Sequence, residues 1–287
     1  MNGSPQIFDR ALYVARLARA RDTGPDILSR TIATELVERV ELITRNFERA
    51  CVIAPDPEAA AEALRRTGRI KVIKTLTPPA DEAFGFAAGE FDAVFNLLDL
   101  HAMNDVPGAL AQMRQALTPD GLLLACLFAG DTLTELRQSW LAAEEEVKGG
   151  ASPRVAPMIG VRELGSLLQR AGLALPVADL DRTVVRYADA IVLIHEISAL
   201  GMANVMLGRS RVPVSRALFG KAAGYYHEHF SDPDTRIRAT FELAWLTAWS
   251  PHESQQQPLK PGSAKMRLAD ALRVPETKLK ADRSDAE

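Results

Sequence analysis

Residues whose types and spacing could do chemistry are few in this chain. His252-Glu253-Ser254 holds the side-chain types of a nucleophilic triad. No Gly-x-Ser-x-Gly turn precedes it, so ordering of the C-terminal segment is the better use. His227 and His229 stand two apart in a stretch that reads as helical, which points them to different faces and argues against a metal pair. Cys51 and Cys126 lie inside apolar runs, with neither the number nor the spacing of a disulfide framework or a zinc site. They read as buried thiols in a reducing compartment. Arg10, Arg16, Arg19 and Arg21 form a basic arm that either meets an acidic partner or anionic lipid, or is a solvated helix face. His101, followed by Asn104-Asp105, lies just beyond the strand-like run Phe91–Leu98, at the strand end where α/β proteins bind ligands. It either reaches such a ligand or is hydrogen-bonded inside its own loop. Asp131-Thr132 could cap the helix that follows, and Trp245 with Trp249 share one face and read as core.

The elements that must position these groups alternate. Two helical stretches, Asp9–Asp22 and Asp26–Phe47, flank the turn Thr23-Gly24-Pro25, and Ile32, Leu36, Val40 and Ile43 make one apolar stripe on the second. The period then changes: an apolar run at Ala50–Ala54, a helix at Glu58–Thr67, a strand at Ile70–Leu76, a Pro-rich turn at Pro78-Pro79 and a strand at Phe91–Leu98. A helix at Val106–Leu117 closes in Thr118-Pro119-Asp120-Gly121, and Leu122–Phe128 is apolar throughout, as expected of a strand buried on both faces. Further on come helices at Leu133–Val147 and Val161–Ala171, a strand or hairpin at Val177–Tyr187, helices at Ala190–Gly208 and Pro213–Phe230, and a closing strand at Ile237–Trp249. Strands alternating with helices predict a doubly wound α/β fold with a parallel sheet.

The 287 residues suffice for one large domain or two small ones. The expected organisation is a helical arm over 1–48 packing on a core over 49–273, with a helical insert at about 190–230 and a disordered tail over 274–287. With 34 Lys and Arg against 37 Asp and Glu the formal charge is -3, which argues against a dedicated nucleic-acid binder. No stretch reaches 18 consecutive apolar residues, so no membrane span is expected. Asp9 and Asp22 depart from the acid-poor pattern of a transit peptide, and the first segment is read as part of the mature fold.

Specific blocks narrow the class. IFDRALYVARLAR, FDAVFNLLDLHAMNDVPGALAQMRQALTPDGLLLACLFAGDTLTELRQSW, GGASPRVAP and PHESQQQPLKPGSAKM together resemble the methyltransferase-like assembly factors of respiratory complex I. More distantly they resemble the malonyl carrier protein methyltransferase of biotin synthesis. The resemblance covers most of residues 7 to 270. Its middle block is common to many methyltransferases, and PHESQ with GSAKM is specific to the assembly-factor group. It implies a Rossmann-like class I methyltransferase sheet, a site for S-adenosylmethionine, and a protein client that is a complex I subunit. In the family pattern the adenine-contacting acid falls at Asp81 or Glu82, whose alternative role is that of solvated loop acids, and His101 matches the family's histidine, although Ala102 stands where an aromatic usually follows. A mitochondrial member is associated with arginine hydroxylation, but no His, His and carboxylate set of a non-haem iron site is visible, and no metal is expected.

S-adenosylmethionine needs small residues in the turn after the first strand and an acid at the end of the second. This chain reads Ala54-Pro55-Asp56-Pro57-Glu58 at the first place and Lys74-Thr75-Leu76 at the second. Only 36 residues, 55 to 90, separate the first strand from Phe91. Two helices, two strands and their loops need roughly 45, so the fold should be shortened by a strand and a helix. The reading is an assembly factor with a degenerate cofactor site, whose His252, Glu253, Arg10 and Arg16 contact the client. Peripheral membrane contact is left open. The compartment is the cytoplasm or, in a eukaryote, the mitochondrial matrix, with the cytoplasm preferred. The alternative is an active methyltransferase on a protein or carrier-protein substrate.

Overall fold

Burial with period two builds the centre of the molecule. In β4 (Leu117–Phe128), Leu122, Leu124, Cys126 and Phe128 enter one apolar cluster while Leu123, Ala125 and Leu127 enter the other. The same alternation runs along β3 (Phe91–Leu97) and β6 (Ile237–Trp249), so helices must cover both faces. The computed structural model describes residues 6–21 and 27–256, with 263, 266, 270, 272 and 273. The chain divides into two units, Met1–His252 and Glu253–Glu287, and the sheet and its covering helices belong to the first.

Six strands lie in the order β2-β1-β3-β4-β6-β5, with β1 at Phe47–Ile53, β2 at Ile70–Leu76 and β5 at Ala174–Tyr187. The first four are mutually parallel, and β6 runs antiparallel to both β4 and β5. This is the Rossmann-like class I methyltransferase sheet in shortened form. One helix, α3 (Pro57–Arg66), joins β1 to β2, and residues 77–90 reach β3 without helix or strand. α2 (Ile27–Glu41), α3, α5 (Thr134–Lys148), α7 (Ala190–Ala199) and α8 (Arg216–Phe230) cover one face. α4 (Val106–Ala116) and α6 (Val161–Arg170) cover the other. α1 (Arg10–Arg21) packs through Tyr13 and Leu17 against Ala102, Val205 and Met206 at the strand ends. Trp245 is a core residue, as its spacing predicted, and its Nε1 donates to Glu35 Oε2 at 2.7 Å.

Several boundaries differ from the sequence reading. The second helix ends at Glu41 and not at Phe47, because Phe47 is buried and opens β1 opposite Ile70. The turn expected at 118–121 lies inside β4: Leu117 already pairs with Phe91, and the register shifts before Ala93 meets Leu122. Asp120 supplies the left-handed residue of that irregularity, with φ 59°. The first insert helix stops at Ala199, not 208. Gly201 follows at φ 72°, where an added Cβ would strike the Leu17 side chain. The turn at 23–25 and the tail from 274 lie outside the described residues.

Candidate functional site

In a parallel sheet ligands meet the carboxyl ends of the strands. β1 ends in Ile53 and Ala54, both buried, and the chain turns through Pro55 and Asp56 into α3. Pro57 occupies the first turn, and the Asp56 carboxylate accepts the Ala59 N–H at 3.2 Å. Asp56 is thus an N-cap, and it uses an amide that a helix N-terminus otherwise presents to an anion. At the end of β2, Thr75 Oγ1 donates to Glu58 Oε1 at 2.7 Å, and Lys74 Nζ donates to Glu90 Oε1 at 2.9 Å. The Lys74 hydrogen bond holds Glu90 below its ordinary pKa. Above this turn is a cavity of about 500 Å³ whose lining includes Leu17, Ile32, Ala54, Leu97, Leu98 and Leu200.

The end of β3 is built differently. Leu98 takes φ 53°, and its carbonyl accepts the Tyr13 hydroxyl at 2.6 Å. Asp99 is fully buried and begins a single 3-10 turn, Leu100–Ala102. Arg10 reaches this turn from α1 while only 4% exposed. It donates to Asp99 Oδ1 at 2.8 Å, to the Pro79 carbonyl at 3.0 Å and to the Ala102 carbonyl at 3.3 Å. Its guanidinium also lies over the Tyr13 ring at 4.8 Å and 3.7 Å from Glu82 Oε1. Burial raises the Asp99 pKa, and the Arg10 charge opposes that shift. Asp99 Oδ2 and His101 Nδ1 have no hydrogen-bond partner among the described residues. The His101 ring packs between Tyr13 and Phe128, and burial, helped by the Arg10 charge, lowers its pKa to about 3. The imidazole is therefore neutral at physiological pH.

Glu82, one of the two expected adenine contacts, faces this cluster. Its carboxylate accepts N–H groups from Asn104 at 2.8 Å and Asp105 at 3.0 Å, and the Asn104 side-chain amide at 2.9 Å. These bonds hold a backbone with φ 59°, unusual for a residue other than glycine. Asn104 Oδ1 in turn accepts the amides of Ile7 and Phe8, which ties the entry of α1 to the same loop. Asp81 accepts the Ala83 N–H at 3.1 Å and lies on the exposed side of the turn.

Of the sequence candidates, Arg10, Glu82 and His101 therefore come together, and Asp81 is adjacent in the chain. Arg10 was expected on a partner-facing surface; it is instead inside the fold, because Asp99 and two carbonyls offer its guanidinium acceptors there. Arg16 is half-buried and donates to the Asn204 carbonyl at 2.6 Å. His252 and Glu253 are each exposed. Asp131 does not cap α5, whose first turn has no side-chain cap. Its N–H donates instead to Glu242 Oε2, and that carboxylate fills the space where Gly130, at φ 51°, lacks a Cβ. Sequence reasoning missed Tyr13 and Asp99. The signals available were the i, i+3 spacing of Arg10 and Tyr13 and an acid interrupting an apolar strand end. Among the described residues no group of three or more His, Cys, Asp or Glu side chains could hold a metal ion.

The family resemblance is borne out by comparison with known proteins. A zebrafish (Danio rerio) protein named arginine-hydroxylase NDUFAF5, mitochondrial, is 32% identical over 273 residues, which cover 94% of this chain and 80% of the relative. This chain belongs to the NDUFAF5 family. A methyltransferase-domain family model also matches residues 37–125, from the end of α2 into β4. A malonyl-[acyl-carrier protein] O-methyltransferase of Xylella fastidiosa is 33% identical over 165 residues, covering 58% of this chain and 54% of its own. A solved putative methyltransferase of Bacillus halodurans, 14% identical, overlays on 76% of this chain and 98% of its own with a TM-score of 0.48. In this NDUFAF5-family chain the methyltransferase match thus spans the Asp56 cap, the β2 end and the Asp99–His101 turn.

Proposed function

We propose that this chain is an assembly factor for respiratory complex I that holds a protein client, a complex I subunit, and that its S-adenosylmethionine site is degenerate. The carrying observation is the β1–α3 turn. Pro55 and Pro57 have no N–H to offer, and Asp56 uses the Ala59 amide and places a carboxylate at the helix start. At β2, where a ribose would need an acceptor, Lys74 and Thr75 are engaged with Glu90 and Glu58. The residues present do not fit the cofactor.

Each hydrogen bond that a buried ligand group loses costs on the order of 1–3 kcal/mol, so two or three losses move a micromolar dissociation constant to millimolar or weaker. Titration calorimetry with S-adenosylmethionine and its demethylated product is expected to give no micromolar binding. Micromolar binding of either would favour the methyltransferase reading, which the cavity of about 500 Å³ over the β1–α3 turn keeps as the second choice. The location proposed is a reducing compartment, the cytoplasm, supported by the two buried free thiols: burial pushes Cys51 up to about 12 and raises Cys126 as well. Among the described residues no helix is long and apolar enough to cross a membrane.

A further inference from the structure

Residues 197–227 contain no Asp or Glu, yet they carry Arg209, Arg211, Arg216 and Lys221, in a chain whose net charge is -3. α1 has the same bias, with arginines at 10, 16, 19 and 21 and no acid. The fold brings the two segments together. Arg16 of α1 donates to the Asn204 carbonyl, and Arg209 bonds the Met206 carbonyl at 2.8 Å and Asp9 at 3.3 Å. Partial burial, then the neighbouring Arg209 and Arg19 cations, pull the Arg16 pKa below its ordinary value against the opposing pull of Asp9. Cations held this close repel one another in the free protein, and a bound anion relieves that repulsion.

Beside these arginines an open groove of about 810 Å³ runs between α1 and α7. Its lining of Ala20, Ser198, Ala199 and Ala203 lets a backbone approach closely, with Arg16 and Arg19 on the α1 side. From α7, His195, Glu196 and Val192 face it, and Val192 is 45% exposed with Ile191 beside it at 52%. Among the described residues of the lining, Glu196 is the one acid, against two arginines.

We infer that the α1–α7 groove docks an acidic segment of the client protein, its carboxylates against Arg16 and Arg19 and its apolar side chains against Val192. Charge complementarity selects this occupant, since a basic segment would meet Arg16 and Arg19. The inference rests on the client-holding reading above and gives it a surface and a chemistry.

The test uses the full chain and a fluorescein-labelled decapeptide of alternating Glu and Leu, with anisotropy as the readout. Arg16→Gln with Arg19→Gln should weaken binding at least tenfold. Arg65→Gln with Arg66→Gln, which removes the same charge from exposed positions on α3, should change it less than twofold. Arg19→Glu alone leaves the Arg16–Asn204 bond in place and should also weaken binding tenfold, which separates docking from misfolding. A Lys-Leu decapeptide should not bind. Equal losses in the groove and α3 variants, failure of the wild-type chain to bind the Glu-Leu peptide, or groove-dependent sedimentation with phosphatidylglycerol vesicles in place of peptide binding would each overturn the inference. Micromolar S-adenosylmethionine binding would overturn the degenerate-site reading without moving these peptide affinities, so the two failures are distinguishable.

Discussion

The two sides of the crevice use their polar groups in opposite ways. On the β1–β2 side the polar side chains are exposed or half-buried and each is matched within its own neighbourhood: Asp56 with the start of α3, Glu58 with Thr75, Lys74 with Glu90. On the β3 side the charged groups are buried and bonded across the fold, Arg10 of α1 to Asp99 some 89 residues away, with Asp99 Oδ2 and His101 Nδ1 to spare. An exposed, locally matched pair contributes tenths of a kcal/mol, whereas a buried ion is tolerated only while its partner is present. The difference teaches that on one side of the strand ends polar groups are matched by neighbours close in sequence. On the other side the crevice is held in shape by a long-range buried pair that also fixes the helix bearing Arg16 and Arg19.

The contrast breaks most sharply at Arg10. Arg10→Ala should cost about 3–5 kcal/mol in chemical denaturation, because Asp99 is left buried and unpaired, while Arg10→Met with Asp99→Leu should recover a large part of that loss. If the double variant is as unstable as the single one, the pair is not acting through charge. Arg10→Ala should also weaken docking in the α1–α7 groove, since α1 loses its anchor.

The next effect is in pH. His101 has a folded pKa of about 3 and an unfolded value of about 6.5. Between those values the unfolded chain binds a proton that the folded chain refuses. Its contribution is therefore complete above pH 6.5 and is lost as the pH falls through this window, by up to about 1.4 kcal/mol per pH unit. His101→Gln should flatten the stability profile between pH 6.5 and 5. Glu144, held at about 2 by Ser152 and Arg154 against its burial, acts only below its ordinary value near 4.5, so it does not contribute to the interval between pH 6.5 and 5. An unchanged slope in the glutamine variant would remove His101 from the account.

The sheet was legible because its signals are local. The strands expected at Ile70–Leu76 and Ile237–Trp249 match β2 and β6 to the residue, and the missing element was countable from the 36 residues after Ala54. What could not be read was set by partners distant in sequence. Phe47 looks like the end of an apolar helical stripe until Ile70 pairs with it. Arg10 looks like one of four surface arginines until Asp99 and the carbonyls of Pro79 and Ala102 surround it. Glu82 was placed as a ligand contact from the family pattern. Its engagement by Asn104 and Asp105 depends on a loop crossing that no spacing announces.

The smallest expected effects belong to the matched side. Asp56→Ala removes one helix cap and should cost about 1 kcal/mol, and Glu58→Ala adds only the loss of an exposed bond to Thr75. Pro55 and Pro57 still have no N–H once the Ala59 amide is freed, so calorimetry with S-adenosylmethionine on the double variant should match the wild-type chain. In a cell assay of complex I activity this double variant should be tolerated, while His252→Ala with Glu253→Ala, in the family-specific PHESQ segment, should lower activity once melting temperature shows the fold intact. The reverse ranking would place function back at the β1–α3 turn and favour the methyltransferase reading.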